Sequence, residues 1–413
     1  MIRIPIILLL FLIYFSTFSQ SEGLTNSPYS LYGLGTINQT TLGRYNSMGY
    51  TGIGQKSTTD INNLNAANFA LIQKGTFLYD VGLRGNYNTY ENYNDLESKA
   101  YFNFSNLAFA FPLGNKGGMG ITLLPYTDVG YTLIGKQNNI EGSTDTYESN
   151  VDGLGGLTDF KLNFGYALLP SLRLGVSASL LFGNIEQTES FSLESSAFTQ
   201  EKSTNYSGFK IGTGLQWDIT KNTTLGSTIN FPVNLNGNQI TNTIKIVDNA
   251  EVAVQEDEKS KVNGFTLPME LGLGISTVFK NNWTLNVDYK KNYWEQTNQS
   301  EFLGSYIDQD VFGVGLAYKK EGRNLNYGQR IAFRTGYTYD TGNLRVGGNS
   351  INGQQFTFGI GLPTSYRSGS MVNLSYAYGT RGKIDNSLIK ENYHMLTLNL
   401  SLLDNWFLRR KIN

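Results

Sequence analysis

Residues 76–88 read TFLYDVGLRGNYN. The odd positions Phe77, Tyr79, Val81, Leu83 and Tyr87 are apolar, while Asp80, Arg84, Asn86 and Asn88 fall among the even ones. A period of two sends successive side chains to opposite faces of a strand, so this strand has one oily face and one wet face. The pattern returns along the chain. Leu172, Leu174, Val176, Leu180 and Phe182 oppose Arg173, Ser177 and Ser179. Trp283, Leu285, Val287 and Tyr289 oppose Thr284, Asn286, Asp288 and Lys290. Leu396, Leu398, Leu400 and Leu402 oppose Thr397, Asn399 and Ser401. There are about fourteen such segments.

A soluble sandwich alternates in the same way, so the links between segments must separate the two readings. Links near 92–98, 136–149, 188–203, 240–263, 297–305, 341–354 and 380–390 are long and polar. Those between them are mostly short, as at 114–116, 169–171, 221–222 and 280–282, with one longer exception near 320–328. Alternating long and short links are the threading of an outer-membrane barrel, in which closure leaves no strand edge in lipid. The fold expected is therefore all-β: a transmembrane antiparallel barrel of about 14 strands with an N-terminal plug in its lumen. An even strand count places both termini on the periplasmic side. Tyr126, Tyr131, Trp217, Phe231, Trp294 and Trp406 fall near the ends of the expected strands, where interfacial aromatic girdles belong.

Composition agrees. The 413 residues include 46 Gly, 26 Tyr and 24 Phe, and only 16% are charged, against a usual figure of about 25%. Net charge is −1, which leaves no basic footprint for nucleic acid. With no Cys there is neither disulfide nor thiolate metal site. The start, MIRIPIILLLFLIYFSTFSQ, has Arg3, an apolar run from Ile4 to Phe15 and small residues at Thr17 and Ser19. It reads as a secretory signal peptide over 1–19, so that the mature chain begins at Gln20.

A ring of about fourteen strands is wide enough to leak, so its lumen must be filled or conduct. Residues 20–74 precede the first strand, lack its period, and carry scattered apolar residues such as Leu34, Met48, Ile53, Ile61, Leu64 and Phe69 that a floppy linker does not need. They are the expected plug, and 75–413 the barrel. Within the plug, NLNAANFALI at 63–72 reads as a helix start: Asn65 caps, Ala66 and Ala67 form the first turn, and Phe69 shares a face with Ile72. In SPYSLYGLG at 27–35, Tyr29, Tyr32 and Leu34 are candidates for contacts inside the barrel or at its periplasmic mouth, and Gly33 and Gly35 permit tight turning.

A plug followed by about fourteen strands, with an Asn-x-Ala element ending the plug, resembles the outer-membrane long-chain fatty acid and hydrocarbon transporters of the FadL/TodX type. The family's Asn-Pro-Ala motif aligns with Asn65, Ala66 and Ala67, followed by Asn68 and Phe69; the proline is absent here. Further pieces resemble the Bacteroidetes branch: NSPYSLYGLGTI at 26–37, RYNSMGYTGIG at 44–54, LPYTDVGY at 124–131, FTLPMELGLGIS at 265–276 and ENYHMLTLNLSLLDNWFLRRK at 391–411. The resemblance implies passive uptake, with lateral exit through a kink in the third strand. The implied ligand is hydrophobic: a fatty acid, a hydrocarbon or a detergent-like amphiphile. It also implies a monomer surrounded by outer-membrane lipid. Pro125, beside Tyr126, lies in the third segment, where a proline removes a ladder hydrogen bond and marks a bulge or break.

Catalytic chemistry finds no support. His394 is the lone histidine, no Gly-x-Ser-x-Gly elbow or HExxH motif is present, and no cofactor or metal is expected. Glu256, Asp257 and Glu258 are consecutive, which is not the spaced ligand pattern of a calcium loop. Two alternatives stand beside uptake: a barrel serving as a protein-interaction or secretion-associated anchor through its outer loops, and a general porin.

Overall fold

The computed structural model describes residues 25–405 apart from 26, 40, 140, 141, 143, 145, 194, 195, 248, 249, 302, 303, 321, 323, 324, 365–368, 386 and 387. The expected signal peptide and Trp406 lie outside the described residues. Fourteen strands form one closed antiparallel ring. They are β1 (Thr76–Glu91), β2 (Leu96–Leu113), β3 (Gly117–Asn139), β4 (Thr146–Leu169), β5 (Leu172–Leu193) and β6 (Ser196–Asp218). Strand β7 runs as Thr223–Asn230 and Val233–Val247, and β8 as Ala250–Leu267 and Glu270–Phe279. The ring continues through β9 (Trp283–Asn292), β10 (Gln309–Tyr318), β11 (Ala332–Asp340), β12 (Gly353–Pro363), β13 (Met371–Arg381) and β14 (Lys390–Asn405). Strand β14 returns to β1 along its whole length, from Thr76↔Asn405 to Glu91↔Lys390.

The period-two pattern is realised inside out. On β1 the buried residues include Asp80, Arg84, Asn86 and Asn88, together with Leu78 and Tyr90, while Val81 and Tyr87 are exposed. On β5, Arg173, Ser177 and Ser179 are buried, and Leu174, Val176 and Leu180 are exposed. A water-soluble sandwich has the opposite polarity, so the apolar exterior is the face that meets lipid.

The two ends of the ring differ. Short turns join strands at 114–116, 170–171, 219–222 and 280–282, with longer links at 319–331 and 364–370 at the same end. At the other end β3 to β8 rise well above their neighbours. The stretches 136–149, 188–203 and 240–263, expected as long loops, are largely strand, with β3 extending to Asn139, β4 starting at Thr146, β5 extending to Leu193, β6 starting at Ser196, β7 extending to Val247 and β8 starting at Ala250. Above the apolar belt both faces of a strand meet water, so the oily half of the pattern disappears and a polar strand reads as a loop. Beside this tall wall, four short strands (Ser300–Glu301, Gly304–Tyr306, Leu344–Val346 and Asn349–Ser350) form a small separate sheet. Tyr306, Leu344 and Val346 of that sheet pack with Leu157, Leu181, Leu235, Phe265 and Trp294 in an apolar cluster. Trp294 is thus 2% exposed rather than part of an interfacial girdle, and Tyr126 packs against the same cluster. Trp217 and Phe231 are exposed.

One place in the wall is incomplete. Strands β2 and β3 pair only from Leu113↔Gly117 to Leu107↔Leu123. Beyond that point β2 continues against β1, and β3 against β4 with a register shift between Pro125 and Thr127. The free edge of β3 is taken by the N-terminal strand Thr36–Ile37, which pairs antiparallel with Asp128 and Thr127.

A lumen segment and a lateral gap

The described residues between 25 and 72 bond and pack against the buried polar faces of the strands. Their lower portion, 43–72, reaches strands on every side. Asn46 Nδ2 donates to Asn399 Oδ1 on β14 at 3.0 Å. Gly49 N donates to Thr357 Oγ1 on β12 at 2.9 Å, and Gly49 O accepts from Thr338 Oγ1 on β11 at 2.8 Å. The amides of Gly52 and Ile53 both donate to Asp288 Oδ2 on β9, at 2.7 and 3.0 Å. Gln216 Nε2 on β6 donates to the carbonyls of Ile53 and Gln55.

The helix expected at 65–72 is present as a 3₁₀ helix, Ala66–Leu71. Asn65 Oδ1 accepts from Ala67 N at 3.0 Å, the expected cap, and its Nδ2 donates to Ile53 O and Leu215 O at 3.0 and 2.9 Å. Asn68 closes the preceding loop, accepting from Ser57 N and donating to Ser57 O. Phe69 and Ile72 share an apolar cluster with Leu42, Ile61, Leu78 and Leu124. The wall facing this helix is stripped of side chains. A Cβ at Gly118 would collide with Phe69 O, one at Gly165 with Ala70 N, one at Gly175 with Ala67 N and one at Gly214 with Asn65 Oδ1. These four glycines serve the close approach of helix and wall.

Arg44 and Asp60 form a buried ion pair in the same portion, Nη1 to Oδ2 at 3.3 Å, and Asp60 Oδ2 also accepts from Ser57 Oγ and Thr59 Oγ1 at 2.9 Å each. Burial opposes the charge on both groups, yet the attraction between them prevails: the Asp60 carboxyl is held below its ordinary value and the Arg44 guanidinium above its own.

The upper portion, 25–39, is held differently. Pro28–Leu31 is a short 3₁₀ turn, and Gly33 and Gly35 have φ of 58° and 93°. The glycines therefore supply the expected turning. Tyr29 and Leu34 are buried in the apolar cluster under the small sheet, and Tyr32 packs against it. This is the tall end of the ring, not the end with short turns. Among the described residues, Asn405 stands beside Thr76, and Thr25 lies against Gly130 high on β3; the termini themselves lie outside the described residues. The segment crosses the lumen from end to end. Its upper bonds run mainly to β3 and to the start of β14. Ser30 Oγ donates to Gly130 O at 2.9 Å, Asn38 N to Tyr126 O at 2.9 Å, and Ser27 Oγ to Glu391 Oε2 at 2.9 Å. Tyr29 OH donates to Ile389 O, and burial pushes its phenol up to about 12.

Pro125 and Tyr126 thus stand where β3 leaves β2, beside the N-terminal strand. Arg84 of β1 reaches across the gap: its Nη2 lies 3.3 Å from Asp128 Oδ2 on β3 and 3.3 Å from Asn38 Oδ1, with both charged side chains 6% exposed. The sequence placed Arg84 on the wet face, but nothing in linear order shows that it spans a missing strand contact. His394 faces outward among Tyr87, Tyr376 and Tyr378, its Nδ1 2.7 Å from Tyr376 OH. Glu256, Asp257 and Glu258 are exposed on upper β8.

A closed 14-stranded ring with inverted polarity, an occupied lumen and a gap beside its third strand defines a FadL-like outer-membrane barrel fold. The chain belongs to the BamG family, whose model matches residues 1–413. Among solved structures it is similar to the P. putida toluene transporter TodX, with 16% identity over 90% of this chain and 100% of that one and a TM-score of 0.61. It is also similar to the Ralstonia pickettii toluene transporter TbuX (15% identity, 89% and 99% covered, TM-score 0.62). A Pseudomonas aeruginosa FadL homologue matches at 10% identity, with 90% and 100% covered and a TM-score of 0.57. At these identities the likeness is one of fold. No curated protein matches the chain.

Proposed function

We propose that the chain resides in the outer membrane and passes hydrophobic small molecules without energy input, releasing them sideways between β2 and β3. The ligands are long-chain fatty acids, hydrocarbons or similar amphiphiles. The observation that carries this reading is the gap above Leu107↔Leu123, closed on its β3 side only by Thr36–Ile37 of the lumen segment. In this reading residues 1–19 are removed, 20–74 act as the plug, and 75–413 are the barrel. The short-turn end with Asn405 faces the periplasm, and the barrel works as a monomer in lipid. The protein is not an enzyme in this account: the segment moves, and no bond is made or broken in the ligand.

The test is a reversible lock. Ile37 and Thr127 are paired across the antiparallel ladder, at a spacing compatible with a disulfide. An Ile37→Cys/Thr127→Cys double variant should lose uptake of a labelled fatty acid or of toluene when oxidised and regain it when reduced. Uptake indifferent to the lock would remove the lateral route.

A second reading, a protein-interaction or secretion-associated anchor, is favoured by the tall wall. Residues 250–261 are exposed throughout, and upper β8 pairs on one side only, with β7. Shortening the β7–β8 hairpin should then abolish co-purification of a protein partner while uptake persists. A general porin is opposed by the polar bonds that tie 43–72 to the ring.

A further inference from the structure

The links at the two ends of the ring carry opposite charge. The six at the short-turn end hold eight Lys or Arg and a single acid, Glu321, whereas the seven at the tall end hold two cations and nine Asp or Glu. Half of the eight cations fall in one link, 319–331, as Lys319, Lys320, Arg323 and Arg330. Glu321 offsets one of them and leaves an excess of three. Lys319, Lys320 and Arg330 border a hollow of 200 Å³ between that link and 364–370, and no carboxylate lines it among the described residues. Beside it, on the outward face of β9 to β12, lies a groove of 600 Å³. Its walls are Trp283, Leu316, Tyr318, Phe333, Phe358 and Ile360. Thr335 makes the space: it is exposed and stands in register between Leu316 and Phe358, a short side chain among long ones. Its hydroxyl donates to Thr357 O at 3.1 Å, so no donor is left turned toward lipid.

The basic link and the groove share the ends of the same strands. Tyr318 ends β10 two residues before Lys320, and Phe333 follows Arg330 by three on β11. The rings of Trp283 and Tyr318, 4.8 Å apart, mark the interfacial height at which amphipathic aromatics sit. The cations therefore stand at headgroup level and the groove at the level of acyl chains. Every outward groove of a barrel meets lipid, but this one has excess positive charge at its mouth, and such charge draws anionic headgroups. We propose that this face binds one anionic glycerophospholipid of the periplasmic leaflet, its phosphate held by Lys320 and Arg330 and an acyl chain laid across Thr335. The site is separate from the lumen and from the lateral gap, and it rests on the proposed function only in setting the short-turn end toward the periplasm. A zwitterionic lipid fills the groove but brings a cation of its own to the basic link, and free phosphate leaves the groove unused.

The test is native mass spectrometry of the full barrel in neutral detergent, offered equal amounts of phosphatidylglycerol and phosphatidylcholine with the same acyl chains. One phosphatidylglycerol should stay bound, preferred by about tenfold. The preference should vanish in Lys320→Gln/Arg330→Gln, and persist in Lys320→Arg and in Lys259→Gln on the exposed upper β8. Thr335→Phe fills the groove from the lipid side and should weaken retention of both lipids. If the double variant does not fold, the two single variants carry the same test. Equal retention of the two lipids by the native barrel, a preference unmoved by the charge variants, or retention unmoved by Thr335→Phe would overturn the site. Orientation is read separately from Tyr327→Cys, at an exposed position of the same link in a chain with no other cysteine. An impermeant maleimide should label it only after the outer membrane is permeabilised. Labelling in intact cells would overturn both the periplasmic-leaflet assignment and the proposed orientation. Protection from the label without a lipid preference would overturn the lipid site alone.

Discussion

The two portions of the lumen segment are built on different terms. Residues 43–72 are fastened to β6, β9, β11, β12 and β14 at once, through side chains that bond their backbone and through wall glycines that let two backbones meet. Residues 25–39 are fastened chiefly to the free edge of β3 and the start of β14. To release the lower portion, bonds on opposite sides of the ring must break together. To release the upper portion, one short ladder and a few side-chain bonds must yield. In the proposed reading, permanent closure and reversible closure coexist in one segment, the lower portion as the seal and the upper portion as the guard of the gap.

The harshest way to break this contrast is to delete residues 27–74. A 14-stranded ring is wide enough to conduct once emptied, so single-barrel conductance in planar bilayers should rise by more than about tenfold. A background current in the deleted barrel would mean that the segment is not the seal. Next in size is Asp60→Asn, which strands Arg44 without its carboxylate. Breaking a buried pair from one side costs about 3–5 kcal/mol. The expected result is a lower portion open to protease and a leaking barrel. Acid should act in the same direction. The folded Asp60 value lies below the unfolded one of about 4, so the stability it contributes is present above that pH and is lost as pH falls through the folded value. Leak should therefore appear only in strongly acidic solution, and should move toward neutrality if Arg44→Gln removes the partner.

The contrast also explains what linear order revealed. Strand period and link lengths carried the ring, because one face of each strand must be oily and the other wet, and Asp80, Arg84, Asn373 and Asn399 fall on the buried wet face. Asn65 was legible because capping is local: the donor it satisfies is two residues away. Two features were not legible. The tall hairpins look like loops because water on both faces erases the period. Trp294 looks like a girdle residue because nothing near it in sequence announces the small sheet that buries it. The end of the ring at which SPYSLYGLG resides was equally hidden, for an irregular segment has no period to give its height.

Smaller effects sharpen the boundary between the two portions. Gly175→Val puts a branched side chain where Ala67 N now sits, an overpacking worth about 1–3 kcal/mol. It should loosen the 3₁₀ helix and raise conductance modestly. Gly85→Ala, where a Cβ meets only the Phe102 ring at an ordinary 3.7 Å, should do neither. If both variants leak alike, the glycine-lined wall is not what seats the segment.

The smallest and most discriminating change is Tyr29→Phe. The phenol donates to Ile389 O and accepts from Ile389 N at 3.2 Å, so its removal strips two backbone groups of their partner while keeping the ring in its apolar cluster. The net cost is about 1 kcal/mol. Spread over 43–72, which has many anchors, such a loss would scarcely register. Concentrated on 25–39, which has few, it should raise the open fraction of that portion by about fivefold, since 1.4 kcal/mol corresponds to a factor of ten. Limited proteolysis should then cut the upper portion faster while conductance stays at background, because the seal below is untouched. Equal acceleration of cleavage in both portions, accompanied by leak, would mean that the segment moves as a single body and that the division between a fixed and a releasable part is false.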